Sequence, residues 1–88
     1  MTPTPDTPVY VVQVGAFSRK ENAERISRRL KEHGFQVNVS PFRHKSLGRL
    51  YLVRLDPLPS EEQARKAADR IAALEKTKPM VIKLDKAP

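Results

Sequence analysis

Val9-Tyr10-Val11-Val12-Gln13-Val14-Gly15-Ala16-Phe17 is rich in β-branched residues and ends on glycine, alanine and phenylalanine, the composition of a strand. Side chains alternate across a strand. Period 2 therefore sets Tyr10, Val12 and Val14 on one face and Val11, Gln13 and Gly15 on the other. Ser18-Arg19-Lys20-Glu21 follows. A serine at the N-cap with a glutamate three residues on is a capping box, which stabilises a helix start by about 1 kcal/mol. Ala23, Ile26, Ser27 and Leu30 then recur at helical spacing and form one small, apolar stripe. Glu21 and Glu24 stand four residues before Arg25 and Arg28, the favourable order for ion pairs along a helix. Gly34 is placed to close the helix.

The same unit recurs 41 residues further on without a gap. Val12-Gln13-Val14 aligns with Val53-Arg54-Leu55, Phe17 with Leu58, Glu21 with Glu62, Asn22 with Gln63, Ala23 with Ala64 and Leu30 with Ile71. The apolar matches are inward strand positions and the helix stripe, so the repeat is a duplicated βαβ unit. Between the halves, Phe35 to Ser40 alternates, with Phe35, Val37 and Val39 inward and Gln36, Asn38 and Ser40 outward. Pro41 is expected to stop this strand, and Phe42 to Gly48 to form a loop carrying Arg43, His44 and Lys45. Arg49 to Asp56 is a third strand, with Tyr51, Val53 and Leu55 on one face and Leu50, Leu52 and Arg54 on the other. Ser60-Glu61-Glu62-Gln63 is a second capping box. Ala64, Ala67, Ala68, Ile71 and Leu74 form the buried stripe of a second helix, and Met80 to Leu84 a short fourth strand.

The resulting order, βαββαβ, predicts an α+β, ferredoxin-like (RNP-like) sandwich: a four-stranded antiparallel sheet with both helices on one face. The expected strand order is 4-1-3-2, with strands 1 and 3 adjacent at the centre. Eighty-eight residues suffice for one domain and not two. The expected division is a Pro/Thr-rich linker over 1–8, the domain over 9–84 and a tail over 85–88. A linker opening directly after Met1 suggests a piece cut from a longer chain, with any targeting segment upstream. There is no cysteine, so no disulfide or thiolate metal site supports the core. No run approaches the roughly 20 apolar residues of a membrane span, and no direct membrane insertion by this fragment is expected.

The formal net charge of +7 favours anionic partners without choosing among nucleic acid, acidic membrane and anionic polysaccharide. No catalytic constellation is visible. His33 falls in the last turn of a helix, where a cation suits the helix dipole, and His44 in a basic loop; neither has a partner at triad or ligand spacing. No metal, no cofactor and no enzymatic activity are expected. The remaining candidate is the helix-free sheet face, which should carry Val11, Gln13, Asn38, Ser40, Leu52 and Arg54, with Met80 or Val81 from the last strand. Gln13 and Arg54 occupy equivalent positions in the two halves. An amide that donates and accepts beside a guanidinium fork suits an extended polar ligand.

Tyr10-Val11-Val12-Gln13-Val14-Gly15-Ala16-Phe17-Ser18, followed by Asn22-Ala23-Glu24-Arg25, Leu30 and Gly34-Phe35, resembles the SPOR (sporulation-related repeat) domain. Leu50-Tyr51-Leu52-Val53-Arg54-Leu55-Asp56-Pro57-Leu58 resembles the family's second motif, with Asp56 and Leu58 replacing a glycine and a phenylalanine. The resemblance covers about Val9 to Leu84. It implies a non-catalytic module of bacterial envelope and cell-division proteins that binds septal peptidoglycan, on glycan strands lacking stem peptides, through the helix-free face. By position it implies contacts from Gln13, Arg54, Val11, Asn38, Ser40, Leu52 and Met80, where Met80 stands in place of a common aromatic. Ala16 stands where some members place a ligand-touching serine. Arg43, Lys45 and Arg49 are possible loop contacts to the carboxylates that such a strand exposes. The parent would work in the periplasm or cell envelope and the module as a monomer, with no nucleic-acid partner. The competing readings are an RNA-recognition-like domain, disfavoured because no outward aromatic stands on strand 3, and a protein-docking or regulatory module using the same face.

Overall fold

The computed structural model describes residues 9–84. The expected linker and tail lie outside the described residues. The elements are β1 (Val9–Phe17), α1 (Lys20–Glu32), β2 (Val37–His44), β3 (Gly48–Leu55), α2 (Glu61–Glu75) and β4 (Met80–Leu84). The sheet order is β2-β3-β1-β4 with every pairing antiparallel, the expected arrangement.

The core is the repeat made physical. Val12 and Val53, Val14 and Leu55, Ala23 and Ala64, Ser27 and Ala68, Leu30 and Ile71 are pairs 41 residues apart, and every one is buried. Tyr10 and Tyr51, Phe17 and Leu58 pack at the edge of the same cluster. Apolar burial of this kind contributes about 25 cal/mol per Å². Small residues at Ala23, Ser27, Ala64 and Ala68 allow both helices to sit close on the sheet.

The two helix starts differ. Ser60 caps α2 as expected, accepting from the Gln63 N–H at 3.1 Å. In α1 the N-cap is Arg19, with no side-chain cap hydrogen bond. Ser18 lies one residue too early for its hydroxyl to act as the cap. The expected Glu21–Arg25 and Glu24–Arg28 pairs do not form. The α1 cation that pairs is Arg29, 2.7 Å from Glu75 on α2, and this bridge ties the C-terminal ends of the two helices together. On α2 the i,i+4 pairs Glu61–Arg65 and Glu62–Lys66 are present. Gly34, at φ +91°, ends α1; the Phe35 N–H donates to the Leu30 carbonyl and the Gly34 N–H to that of Lys31. Phe35 precedes β2 instead of opening it and lies under the Arg70 guanidinium, 5.0 Å from the ring centroid. Leu74, expected in the α2 stripe, is exposed near the helix end.

Two departures from the expected strands bear on the binding face. Pro41 does not stop β2, which runs on to His44 and pairs with β3 down to Gly48. Because β2 is the sheet edge, the missing proline N–H falls where no ladder partner is required. Arg43 and His44 are therefore strand residues, not loop residues. In β1 the register shifts between Gln13 and Gly15: Gln13 pairs with Arg54, then Gly15 with Val53 and Ala16 with Leu52. The extra residue reverses the alternation. Gly15, expected on the helix-free side, leaves it, and Ala16 takes its place. A Cβ on Gly15 would lie 3.1 Å from the Phe17 ring, so this bulge has room only for glycine unless the ring moves.

Candidate functional site

Strand pairing assembles one row of side chains across all four strands on the face away from the helices. Gln13 of β1 pairs with Met80 of β4 on one side and with Arg54 of β3 on the other, and Arg54 pairs with Asn38 of β2. The row reads Met80–Gln13–Arg54–Asn38. At its centre the Arg54 Nε–H donates to Gln13 Oε1 at 3.3 Å, in a partly buried bond between the two residues equivalent in the repeat. Among the described residues Arg54 forms no ion pair, so its terminal nitrogens remain available as a donor fork. At the β2 end, Asn38 Nδ2 donates to Asp56 Oδ1 at 3.1 Å. That bond turns the Asn38 amide and leaves its carbonyl oxygen as the free acceptor.

Apolar rows flank this polar one. On one side Ala16, Leu52 and Ser40 are in register, and beyond them Leu50 pairs with Phe42. On the other side Val11 pairs with Ile82 and Val9 with Leu84. Val11 and Leu52 lie on this face as expected but are only 8% and 6% exposed. Each lies on a central strand with neighbours on both sides, so they form the floor of the face. Met80 is 58% exposed and open to contact, whereas Val81 packs against the core. Ser40 is half-buried on the edge strand.

The expected cations separate from this face. Arg43 and Arg49 are partners across β2 and β3, and alternation puts both on the helix side, opposite Arg54. Lys45 is in the hairpin turn. His44 Nδ1 accepts the N–H groups of Ser46 and Leu47 at 3.0 and 3.1 Å, so this ring braces the turn.

The face also gains residues that sequence reasoning missed. Phe42, 46% exposed, places an aromatic there, and Ile82 and Asp56 join it; Ala16, named only through the family resemblance, reaches the face through the bulge. The signal for Phe42 was present: Asn38, Ser40, Phe42 and His44 continue the outward alternation straight through Pro41. Among the described residues no group of three or more His, Cys, Asp or Glu side chains is placed to hold a metal.

Residues 6–83 match the family model described as the SPOR domain. The chain belongs to the SPOR domain family. The SPOR fold is seen again in solved structures. The crystal structure of the RlpA SPOR domain from Pseudomonas aeruginosa is 27% identical, with a TM-score of 0.71 over 84% of this chain and 96% of that one. The solution structure of the peptidoglycan binding domain of the B. subtilis cell wall lytic enzyme CwlC is 28% identical, with a TM-score of 0.69 over 96% of this chain and 99% of that one. The Spor protein DedD shares the fold at 22% identity and a TM-score of 0.61, over 94% of this chain and 42% of its own. No curated protein matches the chain. In this SPOR domain the helix-free face thus has a hydrogen-bonded Gln13–Arg54 centre, an unstacked Met80 at one end and an aromatic, Phe42, towards the β2–β3 hairpin.

Proposed function

We propose that this SPOR domain is a non-catalytic module that binds peptidoglycan, on glycan strands lacking stem peptides, along the Met80–Gln13–Arg54–Asn38 row. The observation that carries the reading is the Gln13–Arg54 pair at the centre of an open face, with the guanidinium fork unengaged. CwlC, similar over nearly its whole domain, is described as peptidoglycan binding and supports the ligand class. Removing stem peptides leaves a lactyl carboxylate on each N-acetylmuramic acid, and the strand becomes a regular polyanion. Arg54 takes a carboxylate through its two terminal nitrogens. Gln13 and the Asn38 carbonyl meet acetamido and hydroxyl groups. Phe42 offers an apolar face to the C–H side of a sugar ring. The net charge of +7 raises the local concentration of such a ligand.

The module acts as a monomer and directs a larger envelope or cell-division protein to the septum, where denuded strands occur, in the periplasm or cell envelope. RNA recognition draws no support from the face, because Tyr10, Phe17 and Tyr51 all pack against the core and no aromatic of β1 or β3 is left for base stacking. The test is a pull-down on intact sacculi and on sacculi treated with an amidase that removes stem peptides. Retention should rise strongly on the treated material. Equal retention on both, or none on either, defeats the reading.

A further inference from the structure

The β2–β3 hairpin has chemistry that the glycan row does not use. No acidic residue lies between Glu32 and Asp56, so the charges on β2, β3 and their turn are Arg43, Lys45, Arg49 and Arg54, all cationic. Arg43 and Arg49 are direct cross-strand partners, and like charges placed opposite each other destabilise a sheet. Among the described residues neither arginine forms an ion pair. Arg43, His44, Lys45, Gly48 and Arg49 line one shallow concavity. At the tip, Leu47 is 67% exposed, the most exposed large apolar side chain among the described residues. The two bonds to His44 Nδ1 hold this turn, so Leu47 is presented on a braced structure.

We propose that the hairpin tip is a peripheral contact for a membrane surface containing anionic lipid. Leu47 enters the interfacial layer while Arg43, Lys45 and Arg49 engage lipid phosphates. The cations alone would suit any polyanion; the exposed leucine among them is what favours a bilayer, where apolar burial and headgroup attraction add. The geometry fits. The Arg43–Arg49 pair stands one rung behind the closing pair His44–Gly48, about 3.4 Å back along the strands, and a long arginine side chain spans that offset. One leucine and three cations make a surface contact, not a span. The hairpin end lies six residues along β3 from Arg54, about 20 Å, so the contact leaves the glycan row free. It stands whether or not the glycan reading holds.

The test is co-sedimentation of the protein, without glycan, with vesicles of phosphatidylcholine alone or mixed with phosphatidylglycerol. Binding is expected on the mixed vesicles only. The double variant Arg43→Gln/Arg49→Gln should bind about 30-fold more weakly, the effect of two surface cations. Lys20→Gln/Arg25→Gln, which removes the same charge from exposed positions on α1, should lose much less. Leu47→Ser should weaken the binding that survives at high salt. Equal losses in the two charge variants would reduce the effect to overall charge and overturn the proposal. So would an inert Leu47→Ser, no vesicle binding at all, or hairpin-dependent binding of soluble polyphosphate with no gain from vesicles.

Discussion

Replacing Arg54 with alanine removes the guanidinium at the centre of the helix-free face. Its Nε bond to Gln13 Oε1 is 3.3 Å long and only partly buried, so its loss should cost the fold no more than about 1 kcal/mol. The loss of ligand should be larger. A charge-assisted bond from the free end of the fork to a carboxylate is worth about 1.5–3 kcal/mol. That corresponds to a roughly 10- to 150-fold weaker Kd. Arg54→Lys keeps the charge but loses the fork and should fall between wild type and alanine. Gln13→Ala removes one amide contact and also the acceptor that holds the Arg54 side chain in place. The two effects should therefore couple: Gln13→Ala/Arg54→Ala should be weaker than Arg54→Ala by less than the Gln13→Ala loss in the wild-type background. Titration calorimetry with soluble stem-peptide-free glycan fragments reads the binding, and urea unfolding checks the fold of each variant. An Arg54→Ala protein that binds like wild type refutes the role of the guanidinium. Strictly additive losses refute the idea that Gln13 positions it.

Phe42→Ala should leave the urea midpoint nearly unchanged, because the ring is half-exposed on an edge strand, yet weaken glycan binding by about 1 kcal/mol, roughly fivefold; unaltered affinity would remove Phe42 from the site. Gly34→Ala meets no neighbouring atom, so its whole cost is that of a side chain at φ +91°, about 1–2 kcal/mol in urea unfolding, and an unchanged midpoint would contradict the helix-end geometry. Arg29→Ala leaves Glu75, whose side chain is only 7% exposed, without its partner and should cost about 1 kcal/mol, since Arg29 itself is half in solvent. Arg65→Ala breaks a bridge exposed on both sides and should cost little, so equal effects of the two would show that the Arg29–Glu75 bridge is no stronger than a surface pair.

Most of the fold was legible because the chain states it twice. Each buried position of β1 and α1 has a buried counterpart 41 residues on in β3 and α2, and Gln13 and Arg54, paired by that repeat alone, are direct neighbours across β1 and β3. What was not legible depends on neighbours instead of local pattern. Pro41 reads as a strand terminator until β2 is known to be an edge. The bulge after Gln13 cannot be seen in an alternating pattern, because it is the partner strand that defines the count, and it exchanges Gly15 for Ala16 on the binding face. The position of Arg43 on the opposite side follows from the same extension of β2, which turns an assumed loop into a ladder with fixed alternation, whereas Arg49 falls on that side by the alternation of β3 alone.

The most direct measurement is an amide-resolved NMR titration of the domain with stem-peptide-free glycan fragments. Saturable shifts concentrated at Gln13, Ala16, Asn38, Ser40, Phe42, Leu52, Arg54 and Met80, with α1, α2 and the tip at 45–47 unmoved, are the expected result. Shifts centred on the helices or on Arg43 and Arg49, or no saturable shift at all, would contradict a glycan site on the helix-free face.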